Sequence, residues 1–335
     1  MRRRTQTTRF APCRGSNASA WVPGTGVPAS RLTHRAAAPA ALLAITALAA
    51  VSPAFARADS PAPQAAPAPP SAANWTLRQE AFRLFGNAYY VGTRGLSSVL
   101  ITSDKGHVLL DGAVPEAAPM IADNIRALGF KIEDVKLILN SHVHGDHAGG
   151  IPELQKRSGA KVAASAPAAE SFRTGKGSPE DPQFATISSI VMIPNVSVFK
   201  DGETLRVGTI AITAHLTPGH TPGGTTWTWD SCDKSRCLHM VYADSLSTAA
   251  SPGFKFSAHP ELMETFDSSF AKMAALPCDV IVSVHPEVSD LWDRLDKRDV
   301  AHDPNGLIDS HGCEKYSAKL KDGMTKRIAE ERATP

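Results

Sequence analysis

Residues 142–147 read His-Val-His-Gly-Asp-His, an H-x-H-x-D-H run that packs four potential metal ligands into six positions. A buried core has no use for three imidazoles and a carboxylate in one tight stretch, because each would need its own hydrogen-bond partner away from water. On an extended segment alternate side chains share a face, so His142 and His144 can close on one ion while Val143 points the other way. Asp146 and His147 follow a glycine that permits a sharp turn, and being adjacent they address a second, neighbouring ion. Imidazole and carboxylate without thiolate suit zinc best, although iron or manganese accept a similar set. A histidine-rich surface tract that binds metal by accident is the alternative. Such tracts are of low complexity, whereas this run follows an apolar, strand-like stretch at 136–139.

Four groups cannot complete two catalytic metal sites that must also leave room for water and substrate. Residues 217–224, Thr-Pro-Gly-His-Thr-Pro-Gly-Gly, put His220 in a turn between two strand-like runs, where loops present functional side chains. His220 is therefore expected as the third ligand of the first ion. Residues 279–286, Asp-Val-Ile-Val-Ser-Val-His-Pro, form a mostly β-branched strand that stops at a histidine before proline. His285, at its tip, is expected to complete the second ion's set.

The run 142–147, the Gly219-His220-Thr221 turn and the strand-end His285 resemble the metallo-β-lactamase superfamily over about residues 74–293. Three further segments, 91–98 (Val-Gly-Thr-Arg-Gly-Leu-Ser-Ser), 106–112 (Gly-His-Val-Leu-Leu-Asp-Gly) and 242–247 (Tyr-Ala-Asp-Ser-Leu-Ser), look like class B β-lactamases of subclass three. The resemblance implies two zinc ions, one held by His142, His144 and His220, the other by Asp146, His147 and His285. It implies hydrolysis of the β-lactam amide of penicillins, cephalosporins and carbapenems, and so antibiotic resistance. A hydroxide between the zincs would attack the carbonyl, the first ion polarising its oxygen and the second taking up charge on the departing nitrogen. Asp146 would orient the water besides binding metal. Ser245 and Ser247 would hydrogen-bond the substrate carboxylate, their alternative being ordinary turn residues. Other lactamase subclasses place a cysteine near the position of Ser245, and this chain does not.

Two other functions compete. Glyoxalase II-like thioesterases and lactone hydrolases share the run but use an aspartate that bridges both metals, and Asp244 can be read that way. A zinc-binding or sensing protein without turnover would need closed metal spheres, and the sequence offers no extra ligand to close them. Among the remaining histidines, His107 and His215 lie in or beside strands as satisfied structural residues, while His239, His259, His302 and His311 lack partners at ligand spacing. Asp111, at a strand end before Gly112, is placed to hold the far nitrogen of a ligand histidine.

The elements that must carry these residues alternate. Strands are expected at 88–92, 98–102, 107–111, 136–140, 161–164, 196–200, 203–207, 209–216, 224–229, 238–242 and 280–284. Helices are expected at 116–128, 150–157, 260–276 and 313–331. In the last, Tyr316, Leu320, Met324 and Ile328 repeat every fourth position, a stripe that packs on the body. Composition alone says α/β or α+β. The resemblance implies an αββα sandwich of two mixed β-sheets flanked by helices.

Residues 1–56 read as a signal peptide: they hold seven arginines and no acid, the first acid being Asp59, with an apolar stretch at 36–51 and then Ala54-Phe55-Ala56. Residues 57–73, rich in proline and alanine, read as a tether, and 74–335 as the metallo-β-lactamase domain. The chain has 35 basic and 33 acidic side chains, so losing the seven leader arginines leaves 28 against 33. That mild acidity, with no Lys/Arg cluster interleaved with aromatics, excludes nucleic acid as a partner. No apolar run reaches the ~20 residues of a membrane span. A periplasmic or secreted monomer acting on a small molecule is expected. Four cysteines remain after Cys13, an even number suited to an oxidising compartment, and they allow three pairings. Cys232 and Cys237 flank a polar turn as a hairpin staple would, leaving Cys278 to pair with Cys313, as the subclass-three resemblance also implies.

Overall fold

The computed structural model describes residues 70–187 and 189–333. The expected signal peptide and residues 57–69 of the expected tether lie outside them, and the tether's last residues form a short 3-10 turn, Pro70–Asn74. Strands β1 (Phe82–Phe85), β2 (Ala88–Tyr90), β3 (Val99–Ile101), β4 (His107–Leu110), β5 (Val135–Leu139), β6 (Lys161–Ala164) and β7 (Ser197–Val198) form one sheet in sequence order. It is antiparallel as far as β4 and parallel from β4 to β7. The second sheet holds β8 (Thr204–Val207), β9 (Ile210–Leu216), β10 (Thr225–Asp233), β11 (Arg236–Ala243) and β12 (Val280–Ser283), in the order β12-β11-β10-β9-β8. Only its β11–β12 pair is parallel.

Side-chain alternation along the strands decides the layers. In β4 and β5, Val108, Leu110, Leu137 and Leu139 point between the sheets to meet Met240, Tyr242, Val280 and Val282 of the other sheet. Leu109 and Ile138 point outward, under Ile121 and Ile125 of α1 (Ala118–Ala127), Leu154 of α3 (Ile151–Ser158) and Phe172 of α4 (Ala166–Thr174). On the opposite flank Val241 and Ile281 face Phe266 and Phe270 of α5 (Pro260–Ala274) and Tyr316, Met324 and Ile328 of α7 (Gly312–Ala333). The result is the αββα sandwich of two mixed sheets that the resemblance implied.

Three helices and one strand were not anticipated. The one-turn α2 (Gly145–Ala148) is too short to leave a periodic signal, and α6 (Leu291–Asp299) buries only Leu291, Arg294 and Leu295. Helix α4 carried readable punctuation, a proline in its first turn and Gly175 closing it at φ 70°. Strand β1 is four residues with one buried side chain.

Both expected disulfides are present: Cys232–Cys237 closes the β10–β11 hairpin and Cys278–Cys313 ties the approach to β12 to the first turn of α7. Among the described residues no helix is long and apolar enough to cross a membrane.

Candidate metal centre

Strands β4, β5, β6, β11 and β12 all point their C-terminal ends to one edge of the sandwich, the position where open α/β sheets bind ligands. After β5 the chain runs through Asn140 and Ser141 to His142, stays extended at His144 (φ −62°, ψ 150°), and coils into α2, which carries Asp146 and His147. The expected turn after Gly145 is therefore the first turn of a helix. Its backbone is seated directly on the loop after β4: Gly112 N–H donates to His147 O at 2.8 Å, and a Cβ on Gly112 would meet Ile151 N at 2.6 Å. Only glycine allows that approach.

One ligand atom from each of His142, His144 and His220 lies within 4.8 Å of the others, and the same holds for His142, Asp146 and His147. The first group is the set expected for one ion. In the second, Asp146 Oδ2 stands 3.1 Å from His147 Nε2 and 3.5 Å from His285 Nε2, so His285 joins the pair from the end of β12. The rings of His147 and His285 are 4.9 Å apart. Among the described residues, the structure thus brings all six expected ligands to one pocket, with His142 between the two groups.

The far nitrogens show how the imidazoles are aimed. Nδ1 of His142 bonds Asp244 Oδ1 at 2.7 Å, Nε2 of His144 bonds Asp181 Oδ2 at 2.7 Å, and Nδ1 of His220 donates to the Ser247 carbonyl at 3.1 Å. Each bond fixes the tautomer and leaves the other nitrogen a lone pair for metal. Nε2 of His142 and Nδ1 of His147 are buried without a hydrogen-bond partner, and Nε2 of His147 faces only Asp146 Oδ2 at 3.1 Å. Leaving them so would cost about 1–3 kcal/mol apiece, which fits groups built to coordinate an ion.

Electrostatics point the same way. Burial, then the imidazoles of His147, His144, His220 and His285, hold His142 well below its ordinary value. Burial and the His144 ring push His220 down to about 3, and burial and His147 push His285 down to about 4. These rings are neutral at physiological pH and offer lone pairs. Burial works to raise Asp146, but His147, His285 and His144 outweigh it and hold the carboxyl well below the usual carboxylate range. Burial works to lower His147, which Asp146 and Asp111 reverse.

Asp111 differs from expectation. Its carboxylate is consumed by Ser141 N–H (2.7 Å), Ser141 Oγ (2.6 Å), Asn140 Nδ2 (3.2 Å) and Tyr242 OH (2.9 Å), and it stands 3.9 Å from His147 Nδ1, beyond a hydrogen bond. It braces the loop that presents His142, and the bonds to far nitrogens come from Asp244 and Asp181. Asp244 itself lies behind His142, with Oδ2 unpartnered and packed where a Cβ on Gly224 would strike it. Ser245 Oγ donates to Ser247 Oγ at 3.1 Å, and Ser247 Oγ is 3.2 Å from His220 Nδ1, so both hydroxyls sit beside the first ligand group.

Sequence reasoning passed over Asp181 and Gln183. Both lie in the loop between α4 and β7, where Asp181 Oδ1 accepts from Gln183 N–H at 2.7 Å and Gln183 Nε2 stands 3.5 Å from His144 Nδ1 and 3.4 Å from His220 Nε2. No spacing marks them, since the contact is made only by folding. Trp75, just inside the expected domain start, sets its ring 6.3 Å from that of His285 and walls the second group. Among the histidines set aside, His107 packs edge-on to Phe130, His215 bonds Thr228 at 2.8 Å, and His239 bonds Asp230 at 2.7 Å.

A model of the metallo-β-lactamase superfamily matches residues 91–233. The Rm3 metallo-β-lactamase is 49% identical, with a TM-score of 0.76 over 79% of this chain and 100% of its own. The chain belongs to the metallo-β-lactamase superfamily. Within it the likeness is to the subclass B3 enzymes: MEM-A1, a B3 metallo-β-lactamase from a soil metagenome library, is 45% identical with a TM-score of 0.75 over 78% of this chain and 100% of its own. Among curated relatives, a hydroxyacylglutathione hydrolase of Rhodopseudomonas palustris is 29% identical over 187 residues, 53% of this chain. The chain spans 60% of that relative's length.

Proposed function

We propose that this protein is a zinc-dependent β-lactam hydrolase of subclass B3 that opens the amide of penicillins, cephalosporins and carbapenems and so confers antibiotic resistance. The observation that carries the reading is the placement of residues 243–247. A thioesterase-type site needs an aspartate between the metals, but Asp244 is turned to the back of His142, on Nδ1 at 2.7 Å, while the Ser247 hydroxyl, bonded to that of Ser245, lies 3.2 Å from His220 Nδ1 beside the first ligand group. The likeness to the B3 enzymes over their full length supports the same choice against the 29% hydroxyacylglutathione hydrolase.

His142, His144 and His220 would hold one zinc, and Asp146, His147 and His285 a second. When bound, zinc supplies Lewis acidity and activates water at neutral pH. The chain's own part is orientation. Asp244, Asp181 and the Ser247 carbonyl each take the far N–H of one imidazole and so fix the tautomer that turns its other nitrogen inward. Asp146 places one carboxylate oxygen against both His147 and His285. The Ser245 and Ser247 hydroxyls are donors for the carboxylate that β-lactams carry beside the ring, and Trp75 shields the far wall. Two disulfides fit an oxidising compartment, and together with the leader expected at 1–56 they support a periplasmic or secreted location.

The test is hydrolysis of a carbapenem and of a glutathione thioester by the same purified protein, with and without a chelator. Carbapenem turnover that exceeds thioester turnover and vanishes on chelation is expected. A thioester preference overturns the assignment.

A further inference from the structure

Arg294, on α6, is 6% exposed and takes no part in the chemistry above. Its guanidinium spends its donors on main-chain carbonyls: Nη1 on Leu307 O at 2.9 Å, Nη2 on Ile281 O at 2.6 Å and on Ser289 O at 2.9 Å. Burial pushes the group down to about 10, which leaves it charged at neutral pH. A buried cation is costly, and apolar packing often serves stability as well. What a guanidinium adds is a rigid fork of donors. Here that fork joins the carbonyl four residues before His285 to the carbonyl four residues after it.

Inside this clamp lies a second ring of bonds. Ser283 N–H donates to Ser289 Oγ at 3.1 Å, Ser289 Oγ donates to Pro286 O at 3.3 Å, and Ser283 Oγ donates to the carbonyl of His285 itself. From the other side Ser97 N–H holds Val284 O at 2.9 Å and Ser97 Oγ holds Ser283 O at 2.7 Å. The need for such bracing is specific to this ligand. His142 and His144 are locked by buried carboxylates at 2.7 Å, whereas the His285 side chain is 24% exposed and leans on the backbone of Gly95. Its aim depends on where the main chain of 283–286 is kept.

We propose that Arg294 is a positioning residue for the second metal site: by clamping the β12–α6 turn through Ile281 O and Ser289 O it holds His285 in coordinating register, and it does not influence the first site. The inference rests on the two-ion reading above. Residues that aim a ligand alter metal affinity by about 10–100-fold, and a change of that size is expected in one binding step only.

The experiment is stepwise zinc titration against a chromophoric chelator, on the full chain stripped of metal, for the parent, Arg294→Lys, Arg294→Met and Ser283→Ala. The expected result is two steps in the parent, and in folded variants a second step weakened at least tenfold with the first within about twofold. A general loss of packing would lower the melting temperature without splitting the two steps. Parent-like affinity in both steps, or equal weakening of both, overturns the proposal. Should Arg294→Met not fold, Ser283→Ala, which removes one hydroxyl from the same ring, must show the split or the proposal fails. A parent with a single step overturns the two-ion reading and the inference with it.

Discussion

A ligand histidine has two nitrogens, and the one that does not touch the ion decides whether the other can. His142 and His144 meet this requirement with carboxylates 102 and 37 residues away in sequence. Removing the one on His144 frees the ring to rotate and to take either tautomer, so Asp181→Ala is expected to weaken the first ion by about 10–100-fold. Competition against a chelator of known affinity reads this directly, and unchanged affinity would show that His144 is aimed by something else. The serine pair predicts a different signature. Ser245→Ala with Ser247→Ala should raise KM for β-lactams, since a bond to a charged group is worth roughly 1.5–3 kcal/mol, while zinc content holds because the Ser247 carbonyl that orients His220 remains. Loss of zinc in that variant would assign the serines to the metal site. The six ligand candidates were legible because four stand in one run, His220 sits in a proline- and glycine-rich turn between two strands, and His285 closes a strand before proline. Asp181, Gln183 and the true place of Asp244 were not, because no local pattern records a contact made across the fold.

Elements place those residues, and the legible ones are those whose side chains alternate. In β11 and β12 one face enters the space between the sheets and the other meets α5 and α7, a pattern that β-branched residues announce. Helix α2 left no such trace: four residues cannot display a period, so Asp146 and His147 were expected in a turn. Helix α6 sets Leu291, Trp292 and Leu295 among charged residues and buries an arginine, which hides it from any regular apolar stripe. The Cys278–Cys313 bond joins the approach to β12 to α7 across a separation of 35 residues. Replacing both cysteines by alanine should cost about 2–4 kcal/mol by the loop-entropy model. Urea unfolding measures it. A variant as stable as the parent would show that α5–α7 packing alone fixes β12.

At the scale of the whole molecule, the sandwich gathers five imidazoles and four carboxylates at one edge, most of them buried, and this arrangement has a stability consequence. Ions that bind only the folded chain stabilise it by mass action, by about 2.7 kcal/mol each at a hundredfold excess over Kd. Chelation should therefore lower the melting temperature. The stripped protein should also be acid-sensitive, and the sign follows from His220, which is 5% exposed. Burial and His144 depress it from 6.5 to about 3, so between those values the unfolded chain binds a proton that the folded chain refuses. Its contribution is fully present above about 6.5 and is lost as pH falls toward 3; His142, depressed for the same reasons, adds in the same direction. Thermal melts of the chelated protein from pH 7.5 down to pH 4 should show a steady fall in melting temperature. Zinc-loaded protein should hold its value further down the range, because bound metal competes with the proton for the same lone pairs. A stripped protein whose melting temperature is flat across that window would mean that these imidazoles are reached by water without metal, and that the edge is less closed than the fold describes.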